Sequence, residues 1–420
     1  MFMSEITPYQ ICHVQLKTQI ISVITTLEVD KSYYFVFWWL KIPLGDLYIN
    51  KGDDVDFTKI MFKAIIPTLK KYSNSDHDIN DIAKAYNNKD FLNFSELIEK
   101  ILSPYLLIEI PEKVDISVVV CTRNRSESLK NCLESLNSQT CMPNEIIVVD
   151  NAPSDDSTRL VVESYENVTY YKESLPGLDI ARNSGARVAN CPIVAYTDDD
   201  VMVDTLWSYR IWETFLNKTI HAMTGLVIAS SLETESQQIF EKNWGFNKGY
   251  QDIYFSKEFI STISTMPKVW EIGAGANMAF RKSAIESVNY FDDRLDVGAA
   301  GCSGDSEIWF RILSKNMSIH YNPRVFVYHD HRKELKQLHK QLFGYMRGHA
   351  ASVLIQHNQN KKIGYKKYLY YDIPRYYFFL IRAGFPNYNF RYQTLWSEIR
   401  GLISGVRFYN KNKHKPPLTF

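Results

Sequence analysis

The fold is read most directly from Cys191-Pro192-Ile193-Val194-Ala195-Tyr196-Thr197-Asp198-Asp199-Asp200-Val201. Residues 193–196 form a short apolar run, the mark of a buried strand. That run stops abruptly at three consecutive carboxylates. Like charges at a strand end repel one another and resist desolvation, so a cation is expected to compensate them. Oxygen ligands favour a hard divalent ion, Mg2+ or Mn2+, commonly shared with a phosphate. A solvated acidic turn is the plainer reading of the triplet, and the neighbouring sequence has to choose between the two.

Upstream, residues 116–120 are another continuous apolar run, of the kind found in parallel strands buried on both faces. It ends in Cys121-Thr122-Arg123-Asn124-Arg125. Ser126 then stands where it can cap a helix with Leu129, Cys132, Leu133 and Leu136 on one side. A second strand over 145–149 ends in Asp150 and Asn151. Helix and strand alternate again through 158–163, 168–171 and 178–189 before the carboxylate strand is reached. Such alternation predicts an α/β domain with a mostly parallel sheet and helices on both faces. Ligands of these sheets bind beyond the carboxyl ends of the strands. The polar clusters 122–125, 150–151 and 198–200 all fall there. No GxGxxG follows the first strand and no GxxxxGK[ST] occurs, which disfavours a dinucleotide site of the usual kind and a P-loop.

Several segments stand in a fixed order around the triplet. Ser117-Val118-Val119-Val120-Cys121-Thr122-Arg123-Asn124-Arg125 is followed by Ile147-Val148-Val149-Asp150-Asn151 and by Gly177-Leu178-Asp179-Ile180-Ala181-Arg182-Asn183-Ser184-Gly185. Beyond Thr197-Asp198-Asp199-Asp200 come Gly273-Ala274-Gly275-Ala276-Asn277-Met278-Ala279-Phe280-Arg281 and Phe291-Asp292-Asp293-Arg294-Leu295. Gly304-Asp305-Ser306-Glu307 with Arg311, then Tyr321-Asn322-Pro323 leading to Val327-Tyr328-His329, complete the series. Over residues 115–330 this order resembles glycosyltransferase family 2, the inverting enzymes with the Rossmann-like GT-A fold. The resemblance says nothing of either flank.

The resemblance implies a nucleoside-diphosphate sugar as donor, a hydroxyl acceptor, and Mn2+ or Mg2+. It implies that Thr122, Arg123, Asn124, Asp150, Arg182, Asp198 and Asp199 bind the nucleotide and diphosphate, Asp150 through the base. Asp200 is the expected metal ligand, with His329 beside it and His331 competing for that role. Asp305 is the expected general base, which must reach the acceptor hydroxyl on the sugar face opposite the diphosphate. Asn277, Glu307 and Trp309 fall on the acceptor side. Plainer roles exist: an Asx turn at Asp150, a surface arginine at Arg182, a core Trp309. The family's Glu before the base is here Gly304, which puts that residue's acceptor contact in doubt. Residues 242–264 read as a long loop that helps choose the acceptor.

On the amino-terminal side, residues 1–112 read as a small α+β module without assignable chemistry. Strands are expected at 20–27 and 33–40, a turn at 43–46, a returning strand at 47–49 and a helix at 57–72. The catalytic domain is expected over 113–330. A helical region follows over 331–420, with helical spacing through 333–356 and Tyr/Phe interleaved with Lys/Arg beyond 361. That last region holds 17 Lys/Arg against three acids, a net of +14, so within a total of +1 the first 330 residues carry −13. Rings and cations together suit an anionic membrane surface; a helical subdomain packed on the acidic domain fits equally. Nucleic acid is not expected, because no known module is present and the acidic part would repel phosphates.

At 420 residues and 45% hydrophobic content the chain can build a large core over more than one domain. Six cysteines without zinc spacing suit a reducing, cytoplasmic setting, peripheral on a membrane at most. Neither a signal peptide nor a membrane span is expected from the apolar stretches present. The reading is therefore an inverting, metal-dependent glycosyltransferase of surface polysaccharide or glycolipid synthesis. Its donor would be a UDP-sugar first, a GDP- or dTDP-sugar otherwise, and its acceptor a glycan or lipid-linked sugar. The alternative is a catalytically silent nucleotide-sugar-binding module, motivated by Gly304.

Overall fold

The computed structural model describes residues 6–19, 28, 30–73, 75–106, 109–261, 266–296 and 298–417. The strand expected at 20–27 lies outside the described residues. Two compact units are present. One comprises Met1–Ile110 with Ser230–Thr234 and Gly249–Asp252, and the other comprises Pro111–Ala229, Glu235–Lys248 and Ile253–Phe420.

In the first unit, β1 (Tyr9–Gln15) pairs in parallel with β2 (Ser32–Trp39), which pairs antiparallel with β3 (Ile42–Ile49). Every residue of β2 is buried, as its run of aromatic and β-branched side chains demands. Helices α1 (Phe57–Tyr72), α2 (Asp76–Asn87) and α3 (Phe91–Leu102) begin at Asp56, Ser75 and Asp90, whose side chains each accept from a first-turn backbone N–H. Phe57 of α1 meets Phe35 of β2 edge-on at 5.0 Å. Trp39 is fully buried and Trp38 donates to His13 Nδ1 at 3.0 Å, so the tryptophan pair belongs to the core.

The second unit opens with β4 (Lys113–Thr122), α4 (Ser126–Asn137), β5 (Met142–Asn151), α5 (Ser157–Glu163), β6 (Val168–Glu173), α6 (Leu178–Val188) and β7 (Ile193–Asp198). It continues through β8 (Val201–Val203), α7 (Trp207–Leu216), β9 (Ile220–Ala229), α8 (Glu235–Trp244), β10 (Ile253–Phe255) and α9 (Lys257–Ser261). The last elements are β11 (Asn277–Arg281), α10 (Lys282–Ser287), α11 (Gly304–Ser314), β12 (Ser318–His329), α12 (Leu335–Gln359), α13 (Ile373–Gly384) and α14 (Leu395–Asn412). Among the described residues the sheet order is β10-β12-β9-β11-β7-β4-β5-β6, with β8 also on β12.

Strands β7, β4, β5 and β6 are parallel, as the alternation predicts. The sheet as a whole is mixed: β11 runs antiparallel between β7 and β9, and β8 and β10 are antiparallel to β12. Val118, Val119 and Val120 are fully buried, each contributing ~1.5–3 kcal/mol. Gly185 lets α6 lie close to β4, since a Cβ there would stand 2.4 Å from Val119 Cγ1. Ser126 starts α4 without capping it; Arg125 holds the cap position and makes no side-chain cap bond.

One expectation needs correction. Residues 242–264 are not one loop, because α8 runs to Trp244 and β10 and α9 follow. The helices of residues 331–420 belong to the second unit and line the same cleft as the sheet. Their inward stripe, including Leu338, Leu342 and Ala350, supplies the apolar face that docks them.

Candidate active site

The carboxyl ends of β4, β7 and β12 open into a cleft of about 1240 Å³. Thr122, Arg123 and Arg125 line it from β4, Asp198–Asp200 from β7, His329 from β12. Arg182 enters from α6, Asp305 from α11, and Tyr345 and His349 from α12.

The three consecutive carboxylates separate into different environments. Asp198 and Asp200 join His329 in a group whose ligand atoms lie within 4.8 Å of one another. His329 Nε2 is 3.6 Å from Asp200 Oδ1. Asp199 turns away, taking Arg125 Nη1 at 2.6 Å and the Thr122 hydroxyl at 2.7 Å. Asp199, expected to bind the donor, thus lines the cleft with its carboxylate held by two protein partners. Arg125 spans the pair, with Nη2 at 2.8 Å from Asp200 Oδ2. Arg332 adds a second cation 3.4 Å from the same oxygen.

Electrostatics follow from this partition. Burial pushes Asp199 up to about 7 against the pull of Arg125, and pushes Asp198 up to about 6 against Arg182. Burial would raise Asp200 too, but its cationic neighbours, His329 when protonated and Arg125 and Arg332 throughout, outweigh it and hold this carboxyl low. Burial pushes His329 down to about 4, opposed by Asp200, so its imidazole is neutral and can ligate. Two carboxylates and one neutral imidazole form a donor set that could hold a divalent cation.

Arg182 connects the two sides of the cleft. Its Nη1 bonds Asp179 Oδ1 at 3.0 Å and its Nη2 lies 3.7 Å from Asp198 Oδ1. A Cβ on Gly275 would fall 2.7 Å from Arg182 Nη2 and 3.6 Å from Asp305 Oδ2, so this glycine keeps the gap between them open. Asp305 Oδ2 accepts from Gly275 N at 3.0 Å. The next residue of α6 points elsewhere, and Asn183 exchanges two hydrogen bonds with the Phe291 backbone, at 2.8 and 2.9 Å. Asp296 then receives the α6 backbone N–H groups of Asp179 and Ile180 at 2.5 and 3.2 Å, capping the helix from more than a hundred residues away in sequence.

Five other expected site residues sit outside the cleft. Asn124 Oδ1 accepts from Ser154 N at 3.0 Å and fixes the neighbouring loop. Asp150 is fully buried and accepts from Tyr170 Oη at 2.9 Å; burial raises its pKa, and Tyr170 opposes the rise. The acceptor-side expectation for Asn277, Glu307 and Trp309 is also corrected. Asn277 is wholly buried, donating to the Leu226 and Val325 carbonyls at a register shift between β9 and β12 and accepting from Trp207 Nε1 at 2.9 Å. Both Glu307 oxygens bond Arg311, at 2.8 and 2.7 Å. Trp309 is fully buried and stacks on Phe280 at 5.0 Å.

Residues 117–288 match the family model "Glycosyl transferase family 2". The chain carries a glycosyltransferase family 2 domain. Among curated proteins, the family 2 domain and its surroundings are 25% identical over 254 residues to the pre-mycofactocin glycosyltransferase of Mycobacterium tuberculosis. That match covers 59% of this chain and 49% of the relative. Validoxylamine A glucosyltransferase of Streptomyces hygroscopicus subsp. limoneus is 39% identical over 93 residues, 21% of this chain and 20% of that one. The chain thus spans about half the length, or less, of these curated relatives. Among solved structures, the mannosyltransferase PcManGT from Pyrobaculum calidifontis, in complex with GDP-Man and Mn2+, matches with a TM-score of 0.40 and 18% identity. It covers 74% of this chain and 77% of that chain.

Sequence reasoning missed several groups that the family 2 domain gathers at the cleft. Asp179 stands three residues before Arg182 on the expected helix, the spacing of a helical ion pair, and that signal could have found it. Arg125 stands in the β4 loop without a sequence signal for its role. Glu241, in α8, has no sequence signal at all; it reaches His331, which packs behind His329.

Proposed function

We propose that this chain transfers a sugar from a nucleoside-diphosphate sugar to a hydroxyl acceptor with inversion at the anomeric carbon. The observation that carries this reading is one cleft shared by the Asp198–Asp200–His329 donor set and the Asp305 carboxylate, with Arg182 between them. Asp198, Asp200 and His329 would hold Mn2+ or Mg2+. A bound cation would offset the charge gathering on the departing diphosphate. One imidazole beside two carboxylates is softer than Mg2+ prefers, which favours Mn2+. Arg182 stands where a phosphate oxygen can pair with it. Asp305, anchored by two backbone N–H groups, takes the proton from the acceptor hydroxyl.

The donor is a UDP-sugar in this reading, with GDP- and dTDP-sugars as the alternatives, and the acceptor a glycan or lipid-linked sugar of surface polysaccharide or glycolipid synthesis. No helix among the described residues is long and apolar enough to cross a membrane. The supporting feature for a lipid-linked acceptor is α13. Phe378 and Phe379 are 63% and 66% exposed, beside exposed Arg375 and Arg382. Such a face suits the headgroup region of an anionic leaflet. The alternative, a catalytically silent module, was motivated by Gly304, and the carboxylate of Asp179 standing next to Gly304 supports the catalytic reading over it.

The test is Asp305→Asn. Thermal shift with UDP-, GDP- and dTDP-sugars plus Mn2+ identifies the donor, and the variant is expected to keep that shift while losing transfer. Normal turnover in Asp305→Asn would sink the assignment.

A further inference from the structure

Behind the proposed cation site a buried row runs from its ligand His329 to two side chains, His331 and Glu241, that the transfer reaction does not itself use. His331 Nε2 is 2.7 Å from Glu241 Oε2, and His331 Nδ1 is 3.0 Å from His329 Nδ1. The side chains of His331, Glu241 and His329 are 1%, 6% and 9% exposed. Phe240 packs on the His331 ring at 4.6 Å and Phe246 meets the His329 ring edge-on at 5.4 Å. Among the described residues each ring nitrogen of His331 has one hydrogen-bond partner.

Hydrogen-bond chemistry fixes the direction of the row. A carboxylate only accepts, so His331 must carry its proton on Nε2 to bond Glu241. A neutral His331 then has a bare Nδ1, which accepts. The nitrogen facing it, His329 Nδ1, must therefore donate. His329 is left with its lone pair on Nε2, the atom that faces Asp200. The reverse arrangement would aim an N–H at the atoms a cation must occupy.

We propose that Glu241 and His331 are positioning residues that set the tautomer of His329 and thereby the affinity of the site for its divalent cation. The proposal rests on reading Asp198, Asp200 and His329 as a cation site. It extends the site inward to α8, whose last turn delivers Glu241. Outer partners of this kind orient the ligand imidazole and raise its basicity.

The experiment uses the full chain and Mn2+ alone, without donor. In long-range 1H–15N spectra of 15N-histidine-labelled protein, wild-type His329 is expected as the Nδ1–H tautomer. Glu241→Gln and His331→Phe are expected to shift that tautomer balance and to weaken Mn2+ binding, measured calorimetrically, by ~10–100-fold. Should His331→Phe not fold, the near-isosteric Glu241→Gln carries the measurement. A wild-type His329 protonated on Nε2 overturns the proposal. So does unchanged Mn2+ affinity in both variants when His329→Ala abolishes binding. Unchanged binding in His329→Ala overturns the cation site itself, and the proposal with it.

Discussion

The carboxylate of Asp179 occupies the space that a side chain at Gly304 would need: a Cβ on Gly304 would lie 2.0 Å from Asp179 Oδ2. The first residue of α11 is a glycine because α6 has already sent a charged group there. Gly304→Ala must push Asp179 away from Arg182, and overpacking of this kind costs ~1–3 kcal/mol. Combining it with Asp179→Ser removes the clash. Urea unfolding is therefore expected to give a double variant less destabilised than the sum of the singles, by at least ~0.5 kcal/mol. Strict additivity would mean that the two positions do not compete for space.

Arg125 gives a second prediction. It bonds two carboxylates that would otherwise face one another, Asp199 at 2.6 Å and Asp200 at 2.8 Å. In Arg125→Met both lose this cation, and because the arginine is one-third exposed the cost is nearer ~1–3 kcal/mol than that of a fully buried pair. The site also becomes more negative. Mn2+ is expected to raise Tm by more in the variant than in the wild type, since a ligand stabilises the fold it binds by mass action. A smaller Mn2+ shift in the variant would count against the cation site.

The sequence revealed most where one side chain has one dominant requirement. Residues 116–120 and 193–196 could only be buried strands, and they became β4 and β7, adjacent and parallel. The convergence of 122–125 and 198–200 followed from that pairing alone. The sequence was misleading where a polar residue satisfies distant backbone. Asn277 spends its amide on the Leu226 and Val325 carbonyls, partners fixed only by the tertiary fold. Helical periodicity could not tell that Trp309 faces Phe280, or that Glu307 closes on Arg311, rather than facing the acceptor side. Asp199 shows the same limit at single-residue scale: adjacent carboxylates look alike in sequence, yet in the turn that follows β7 Asp199 takes the Thr122 hydroxyl while Asp198 and Asp200 gather with His329.

The exposed rings of α13 yield a third prediction. Its buried stripe is Ile373, Tyr377, Leu380 and Gly384, which leaves Tyr376, Phe378 and Phe379 facing outward. Phe378→Ser with Phe379→Ser removes two large apolar side chains without touching that stripe. Co-sedimentation with vesicles containing phosphatidylserine is expected to fall by at least tenfold, as each ring lost from an interface costs ~1.5–3 kcal/mol. Stability is expected to change little. Undiminished co-sedimentation, or no binding by the wild type, would leave these rings without a membrane role.

A final prediction concerns acid. His349 on α12 lies against the Trp270 ring at 4.6 Å and within 3.0 Å of Tyr368 Oη. Burial pushes its pKa down from 6.5 to about 4. With the folded value depressed, unfolded chains take up the proton first as pH falls. The stability this histidine contributes is thus complete above about 6.5 and is lost as pH falls toward about 4. His349→Gln keeps a polar partner for Tyr368 and cannot take up that proton. The variant is expected to lose less stability than the wild type between pH 7 and pH 4, by ~1–3 kcal/mol at the acid end. The check is urea unfolding across that range. Parallel pH profiles would mean that His349 titrates alike in the folded and unfolded chain, and that some other buried group sets the acid limit.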